Sequence, residues 1–167
     1  MLDSGINVAI GTDSTHTGSI NLLAEMHLAR ETYRNLYGED LGAKRIMDMV
    51  TINPARAFRM DDRLGTLEEG KYADLLVLKG RIADPYENLA SATMGDIELV
   101  IIEGKPLYGE ERFIDLLDGK LPSGYSIINV NGRRMFVRGD PSGLYAELRR
   151  KVGFKKVLDY LPFEPGA

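Results

Sequence analysis

The feature that most restricts the fold is a short uninterrupted apolar segment near the beginning of the chain. Residues 6–10 read INVAI and are bounded by Gly5 and Gly11. Consecutive apolar residues without polar alternation predict a strand buried on both faces, as in a parallel sheet. Such a strand needs a neighbour at each edge, yet no comparable strand precedes it and only half-polar strands follow. We therefore expect its edges to be exposed, and exposed edges favour pairing with another copy of the chain.

The rest of the chain predicts helices first, short strands next and a helical end. We expect a first helix at about 20–37, with Ser19 as its cap and an end at Gly38. A second helix is expected at 42–50, with Met47 facing inward. A short third helix is expected to begin with Asn53 as its cap and Pro54 at the first helical position. Extended segments are predicted at 74–79, 98–102, 105–108, 126–130 and 134–138, and the last two flank the hairpin dipeptide Asn131-Gly132. Residues 81–96 are expected to form an irregular polar loop, and 142–161 a helix interrupted at Gly153.

Composition limits the classes of function. The 167 residues include 25 acidic and 21 basic side chains and no cysteine. The absence of cysteine excludes disulfides, thiolate metal sites and cysteine nucleophiles. The mild acidity disfavours a nucleic-acid surface, and no apolar run approaches the roughly 20 residues of a membrane span. With no secretory signal at the N-terminus, we expect a cytoplasmic protein without nucleic-acid or membrane partners.

Three polar residues after the apolar segment are the candidates for chemistry. Asp13 follows the end of the predicted strand, where α/β barrels place catalytic residues. A carboxylate at this place can bind a cation or exchange protons with a metal-bound water, and it can equally cap a turn. His16 in the same loop could touch a substrate or a metal, or be solvated. Ser14 has no nucleophile motif around it and is expected to be a loop hydroxyl.

Two other patterns carry less chemistry. His27 lies inside the first predicted helix, and the two histidines lack the close spacing of a metal pair. Residues 65–71 match most of the phosphate-loop pattern G-x-x-x-x-G-K. However, Tyr72 stands where that loop needs a small hydroxyl, and Glu68 would bring negative charge to the phosphates. We expect a tight turn that leads into a strand.

Three stretches taken together resemble one family. They are GINVAIGTDS at 5–14, MVTINPARAFRMDDRLGTLEEGKYADLLVL at 49–78 and ELVIIEGKPLYG at 98–109. They are similar, in this order, to three parts of the amidohydrolase superfamily. The first resembles the eighth barrel strand. The second resembles the T-x-N-x-A helix that follows, with its G-x-L-E-x-G-K-x-A-D turn, and the third resembles the later strand pair. The resemblance is to the branch of cytosine deaminase, adenosylhomocysteine-type deaminases and chlorohydrolases.

The resemblance implies an α/β fold made of three parts. Residues 1–60 would be the last β/α unit of a (β/α)8 barrel, with the eighth strand and the helices that follow it. Residues 61–140 would be part of the small accessory β-sandwich domain, and residues 141–167 a helical C-terminal extension.

The resemblance also implies a function and a site. The intact enzyme would hydrolyse a C–N bond of a small molecule, by deamination or by hydrolysis of a cyclic amide or a ring substituent. A divalent metal, zinc or iron, would activate water. Asp13 corresponds to the family's barrel-end aspartate and would be a metal ligand and general base. Ser14 and His16 would be substrate contacts.

The departures from the family pattern limit this expectation. The family takes its other metal ligands from an H-x-H on the first strand and from histidines on later strands, and none of these is present here. Only twelve residues precede Asp13, whereas a complete barrel takes about 250 residues. We therefore expect this chain alone to bind no catalytic metal and to be inactive. Two alternatives stay open: a non-catalytic structural remnant that forms homo-oligomers through strand edges, and a subunit completed by a separate chain that carries the histidines.

Overall fold

The structure is a computed structural model that describes residues 4–14 and 17–154. These residues form two compact units. The first comprises the described residues up to Ala73 together with Leu78–Asp96, and the second comprises Asp74–Val77 together with the described residues from Ile97 onward. None of the helices in the described ranges has the length and apolar character needed to cross a membrane.

The first unit is helical. Its helices are α1 (Leu22–Tyr37), α2 (Ala43–Val50), α3 (Ile52–Ala57) and α4 (Pro85–Ala90), followed by a 3-10 turn at Met94–Asp96. Helix α1 ends at Gly38 as expected, because Gly38 adopts the left-handed conformation that suits glycine. Its cap is Asn21 rather than Ser19: the Asn21 side chain accepts a hydrogen bond of 2.9 Å from the Ala24 N–H.

The core of this unit lies between α2 and its neighbours α1, α3 and α4. Met26 and Ile46 are almost completely buried. Met49, rather than the predicted Met47, is the buried methionine of α2. The expected cap of α3 is also wrong, since Thr51 holds the cap position and Asn53 lies within the helix.

The expected irregular loop at 81–96 is wrong, because α4 forms within it. The Asp84 carboxylate accepts the N–H groups of Tyr86 and Glu87 at 2.8 and 3.0 Å, and Pro85 occupies the first helical position. An aspartate cap followed by proline is a standard helix start. The signal was therefore present in the sequence, and the short length of the helix concealed it.

One carboxylate of this unit is buried. Asp96 is 3% exposed, and its Oδ2 accepts the N–H and hydroxyl of Thr93, each at 2.9 Å. Its Oδ1 forms an ion pair with Arg81. Burial raises the pKa of Asp96, but the Thr93 donors and the positive charge of Arg81 outweigh it, so the pKa lies below its ordinary value. The carboxylate is therefore a structural anchor at the end of the 3-10 turn.

An arginine joins two carboxylates on the surface of the same unit. Arg30 on α1 bonds both oxygens of Asp40 at 2.8 and 2.6 Å and both oxygens of Glu87 at 2.7 and 2.9 Å. The Arg30 hydrogen bonds lower the pKa of Asp40 to about 2, with a smaller contribution from Arg34. These bonds fasten the middle of α1 to α4 and to the segment that follows α1.

This ion pair predicts a pH dependence of stability. Because the pKa of Asp40 is depressed in the folded state, its contribution is present at neutral pH and is lost as the pH falls from about 3.8 to about 2. The carboxylate is 40% exposed, so we expect Asp40→Asn to lower the free energy of unfolding by only about 1 kcal/mol at pH 7. Urea denaturation at pH 7 and pH 2 measures the difference. A deficit that is equally large at both pH values would contradict this assignment.

The second unit contains an antiparallel sheet. Its strands are β1 (Leu75–Leu78), β2 (Ile97–Ile102), β3 (Lys105–Glu110), β4 (Tyr125–Val130) and β5 (Arg133–Arg138), in the order β1-β2-β3-β5-β4. The predicted hairpin is confirmed. Asn131 and Gly132 both have positive φ values, 52° and 79°, as a two-residue turn between antiparallel strands requires.

Both faces of this sheet carry buried apolar side chains. Phe136 on β5 is fully buried and lies across from Gly109 on β3 and Ile127 on β4. A side chain at Gly109 would come within 2.7 Å of the Leu99 methyl and 2.9 Å of the Phe136 ring, so the glycine provides the space that the ring fills. Ile128, Val130 and Met135 form a second cluster.

The remaining elements agree with the sequence in part. Gly65 and Gly70 have φ values of 92° and 89° in the turns before β1, as expected for a turn rather than a phosphate loop. Helix α5 (Pro141–Val152) ends at Gly153, where the interruption was predicted. The part of the predicted tail from residue 155 onward lies outside the described residues.

The apolar segment at 6–10 does not form a strand in the described structure. Ile6 is 57% exposed, whereas Val8 and Ile10 are half-buried. The prediction of a strand buried on both faces is therefore not confirmed for this chain. The physical reason is that a strand exists only with partners for its backbone groups, and the described residues provide no strand beside this segment.

Candidate functional site

The segment that leads to Asp13 is held by the junction between α2 and α3. The Asn7 side-chain amide donates to the Asn53 carbonyl at 2.8 Å, and the Asn53 amide donates to the Val8 carbonyl at 2.8 Å. The Ile10 N–H donates to the Met49 carbonyl at 3.0 Å. These bonds satisfy part of the backbone of the segment without a sheet, and they fix the position from which the next loop starts.

The hydrogen bond from Asn53 to Val8 predicts a measurable loss of stability when it is removed. Asn53→Ala removes the donor to Val8, so that the half-buried Val8 carbonyl can be hydrogen-bonded only by water. We therefore expect a loss of about 1 kcal/mol in the free energy of unfolding. Hydrogen exchange of the Ile10 amide should accelerate as well. Asn35→Ala, on the exposed face of α1, is the matched control, and equal effects of the two substitutions would contradict a specific role for Asn53.

Asp13 lies in a tight loop with an unusual backbone conformation. Its φ is 54°, in the left-handed region that residues other than glycine rarely adopt. The Thr17 hydroxyl donates to Asp13 Oδ2 at 2.7 Å, and the Ser14 and Thr17 hydroxyl oxygens are 2.9 Å apart. The Asp13 side chain is exposed to solvent. The loop thus presents the carboxylate outward while a hydroxyl holds one of its oxygens.

The backbone of the same loop folds back on itself. The N–H groups of Thr17 and Gly18 donate to the Ser14 carbonyl at 3.1 and 2.7 Å. A Cβ on Gly18 would lie 1.6 Å from the Thr12 carbonyl oxygen, so only glycine fits at this position. The Ser19 N–H then donates to the Glu25 carboxylate in the first turn of α1. The start of α1 therefore determines where the loop, and with it Asp13, is placed.

The predicted site residues are brought together only in part. Asp13 and Ser14 are neighbours in this loop, with Thr17 between their side-chain oxygens. His16 lies outside the described residues. His27 is on α1, where its Nε2 is buried without a hydrogen-bond partner among the described residues; it lines a shallow groove together with Arg30, Arg34 and Ser91.

The described residues contain no preassembled group of metal ligands. Within residues 4–14 and 17–154, no group of three or more histidine, cysteine, aspartate or glutamate side chains is arranged to hold a metal ion. A catalytic zinc site uses three protein ligands and keeps one position open for water. The single exposed carboxylate of Asp13 has the right chemistry for one of those ligands but does not by itself make a site.

Sequence reasoning missed the residues that support Asp13. Thr17 and Gly18 have no motif of their own that indicates this role, and the T-x-N-x-A motif that contains Asn53 does not indicate which group its side chain bonds. Asn53 lies 45 positions from Val8, whose carbonyl it bonds, so no local pattern could connect the two. The one available signal was the presence of a polar residue, Asn7, within an otherwise apolar segment.

Comparison with known proteins identifies the family. Residues 1–107 match the sequence model of the "Amidohydrolase family". Over 127 residues the chain is 35% identical to the 5-methylthioadenosine/S-adenosylhomocysteine deaminase of Moorella thermoacetica. This alignment covers 69% of this chain and 30% of that protein.

Solved structures agree with this result. An adenosine deaminase from Xanthomonas campestris with bound zinc matches with a TM-score of 0.58 and 26% identity over 63% of this chain and 26% of that one. Atrazine chlorohydrolase from Arthrobacter aurescens, complexed with zinc, matches with a TM-score of 0.54 and 30% identity over 64% of this chain and 26% of that one.

The matches show which part of the relatives this chain corresponds to and which family it belongs to. The chain spans about a third or less of the length of these relatives. The family match covers well over half of this chain's own 167 residues and contains the Asp13 loop. The resemblance found in the three sequence motifs is confirmed, and the chain belongs to the amidohydrolase family.

Proposed function

We propose that this chain is the C-terminal part of a metal-dependent amidohydrolase that hydrolyses a C–N bond of a small molecule. The reaction would be a deamination or the hydrolysis of a cyclic amide or ring substituent. The observation that carries the proposal is the Asp13 loop. Asp13 has a left-handed backbone conformation, and its exposed carboxylate accepts a hydrogen bond from Thr17. The residue lies inside the stretch that matches the family.

The proposed roles follow the chemistry of the side chains. Asp13 would be a metal ligand and the group that accepts a proton during hydrolysis, since an exposed carboxylate is suited to both. Ser14 and His16 would contact the substrate. A divalent metal, zinc or iron, would supply water activation when bound. Because the described residues form no cluster of three ligands, the other ligands would come from protein outside them.

The first experiment measures the chain by itself. We expect the purified chain to bind zinc substoichiometrically in equilibrium dialysis at micromolar metal. We also expect no ammonia release above background from adenosine, 5-methylthioadenosine, S-adenosylhomocysteine or an amino-substituted triazine. Turnover that disappears in Asp13→Asn would show instead that the site is complete in this chain, and would contradict the proposed division of ligands.

The second experiment asks where the other ligands are encoded. The genomic DNA upstream of codon 1 is read in the same frame. An open frame of a few hundred codons with an H-x-H motif would support the proposal, and the protein made from both segments should then release ammonia in the same assay. A stop codon immediately upstream, without a partner gene that carries the histidines, would overturn the proposal of an enzyme.

A second candidate belongs to a different class of protein. Several large apolar side chains of the first unit are strongly exposed, with Ile6 at 57%, Phe58 at 77% and Leu67 at 81%. Exposed apolar side chains on this scale favour association. We therefore keep a non-catalytic structural protein, or a subunit completed by a separate chain, as alternatives. Copurification with a longer histidine-carrying protein would favour the subunit.

A further inference from the structure

We propose that two copies of this chain pair through the outer edge of β4, antiparallel and around a two-fold axis at Ile127. The inference concerns the second unit alone. It does not depend on the proposed reaction, so either can fail without the other.

The hairpin determines which backbone groups of β4 point outward. In a two-residue hairpin, the residues that flank the turn exchange backbone hydrogen bonds, and bonded and non-bonded pairs then alternate along the ladder. The flanking residues are Val130 and Arg133, and the next pairs are Asn129 with Arg134 and Ile128 with Met135. Residues 126, 128 and 130 therefore bond β5, whereas the N–H and C=O groups of Ile127 and Asn129 face the open edge.

This edge has none of the usual protection against pairing. Edge strands are commonly blocked by charged side chains, proline, bulges or short length. Residues 121–132 contain no charged residue, and β4 itself contains no proline. Its register with β5 is unbroken over six residue pairs. No described strand lies beside its outer edge, because β4 is the last strand in the sheet order.

The opposite edge of the sheet differs in each respect. Strand β1 has only four residues, and charged residues stand directly before and after it, Asp74 and Lys79. The Asp74 carboxylate is occupied by the Glu103 N–H at 2.7 Å. A partner strand would therefore meet charges at both ends of β1, and β4 is the better docking edge.

A second copy is the partner that fits β4. With the axis at Ile127, this residue faces Ile127 of the second copy, Tyr125 faces Asn129 and Ser126 faces Ile128. Antiparallel pairing about a two-fold axis uses the same groups twice, so the outward N–H and C=O of Ile127 meet their counterparts on the axis and the Asn129 N–H meets the Tyr125 C=O. The Tyr125 N–H donates to the Pro122 carbonyl at 3.2 Å and stays outside this ladder. The axial pair joins two β-branched side chains, the other pairs join an aromatic or β-branched side chain to a small polar one, and no charge faces a like charge.

The β4–β5 hairpin supplies the sheet edge that the proposed dimer uses. The family match ends at residue 107, within β3. Strands β4 and β5 follow the matched region, and β5 bonds the free edge of β3. The hairpin thus closes one edge of the matched strands and creates a new one, which the proposed dimer uses.

The first test is sedimentation velocity of the chain at concentrations from about 1 to about 200 µM. We expect a monomer–dimer equilibrium, because an interface of one strand pair is small. Ile127→Lys places two like charges on the axis and should raise the dissociation constant about tenfold or more. Ile127→Thr, which is also β-branched and has no charge, is the matched control and should stay within about threefold of the original. A monomer at all concentrations, or equal dimerisation of Ile127→Lys, would overturn the proposal.

A second test does not depend on the folding of the lysine variant. The chain contains no cysteine, so one introduced thiol reports one position. Ile127→Cys should give a dimer with a short bismaleimide, whereas Leu76→Cys, 45% exposed on β1 at the opposite edge, should give little. Equal yields at both positions would show random collision and would contradict the two-fold pairing.

Discussion

If the proposed function holds, Asp13→Asn in the active enzyme is expected to lower kcat by about 10²- to 10⁴-fold, the range for loss of a general base. Asparagine has nearly the same shape as aspartate, and its amide oxygen can still accept the bond that the Thr17 hydroxyl donates at 2.7 Å. The loop should therefore stay in place while the negative charge and the proton acceptor are lost. Steady-state measurement of ammonia release checks the effect.

Two controls separate chemistry from folding. Ser14→Ala removes a neighbouring hydroxyl of the same loop and should lower kcat by less than about tenfold if Ser14 only contacts substrate. The thermal midpoint of Asp13→Asn should stay close to that of the original protein, because the residue is exposed. Activity of Asp13→Asn within about threefold of the original would remove Asp13 from the catalytic role.

The largest loss of stability is expected at Phe136. The side chain is fully buried, and its ring lies beside the Gly109 backbone and 6.3 Å from the ring of Tyr125. Phe136→Ala removes this packing and leaves a cavity between β3, β4 and β5, so the free energy of unfolding should fall by about 3–5 kcal/mol. Urea denaturation followed by the tyrosine signal measures the change.

The matched control for Phe136 lies in the same sheet. Ile102 at the end of β2 is 47% exposed, so Ile102→Ala should cost less than about 1 kcal/mol. If the two substitutions cost the same, the ring is not in a packed core. If Phe136→Ala does not fold at all, Phe136→Leu, which keeps most of the apolar surface, should cost about 1–2 kcal/mol and still allow the comparison.

Much of the local structure could be predicted because its signals are local. Gly38 ends α1 where predicted, Gly153 ends α5 where an interruption was predicted, and Asn131-Gly132 forms the hairpin, since these residues tolerate the positive φ that such positions require. The family could be recognised because its motifs are contiguous stretches of sequence. Helix α4 was missed although Asp84 and Pro85 mark its start, because a helix of six residues is too short to show periodicity.

The sequence by itself determined the family, the position of the candidate carboxylate Asp13 and the ends of most elements, because each depends on residues that are close along the chain. The tertiary structure decided the rest. It placed residues 6–10 against Asn53 instead of in a sheet, since a strand requires partners that the described residues do not provide. It inserted β5 between β3 and β4, and so decided which strand carries the open edge. These outcomes depend on hydrogen bonds between residues far apart in sequence, which no local pattern encodes.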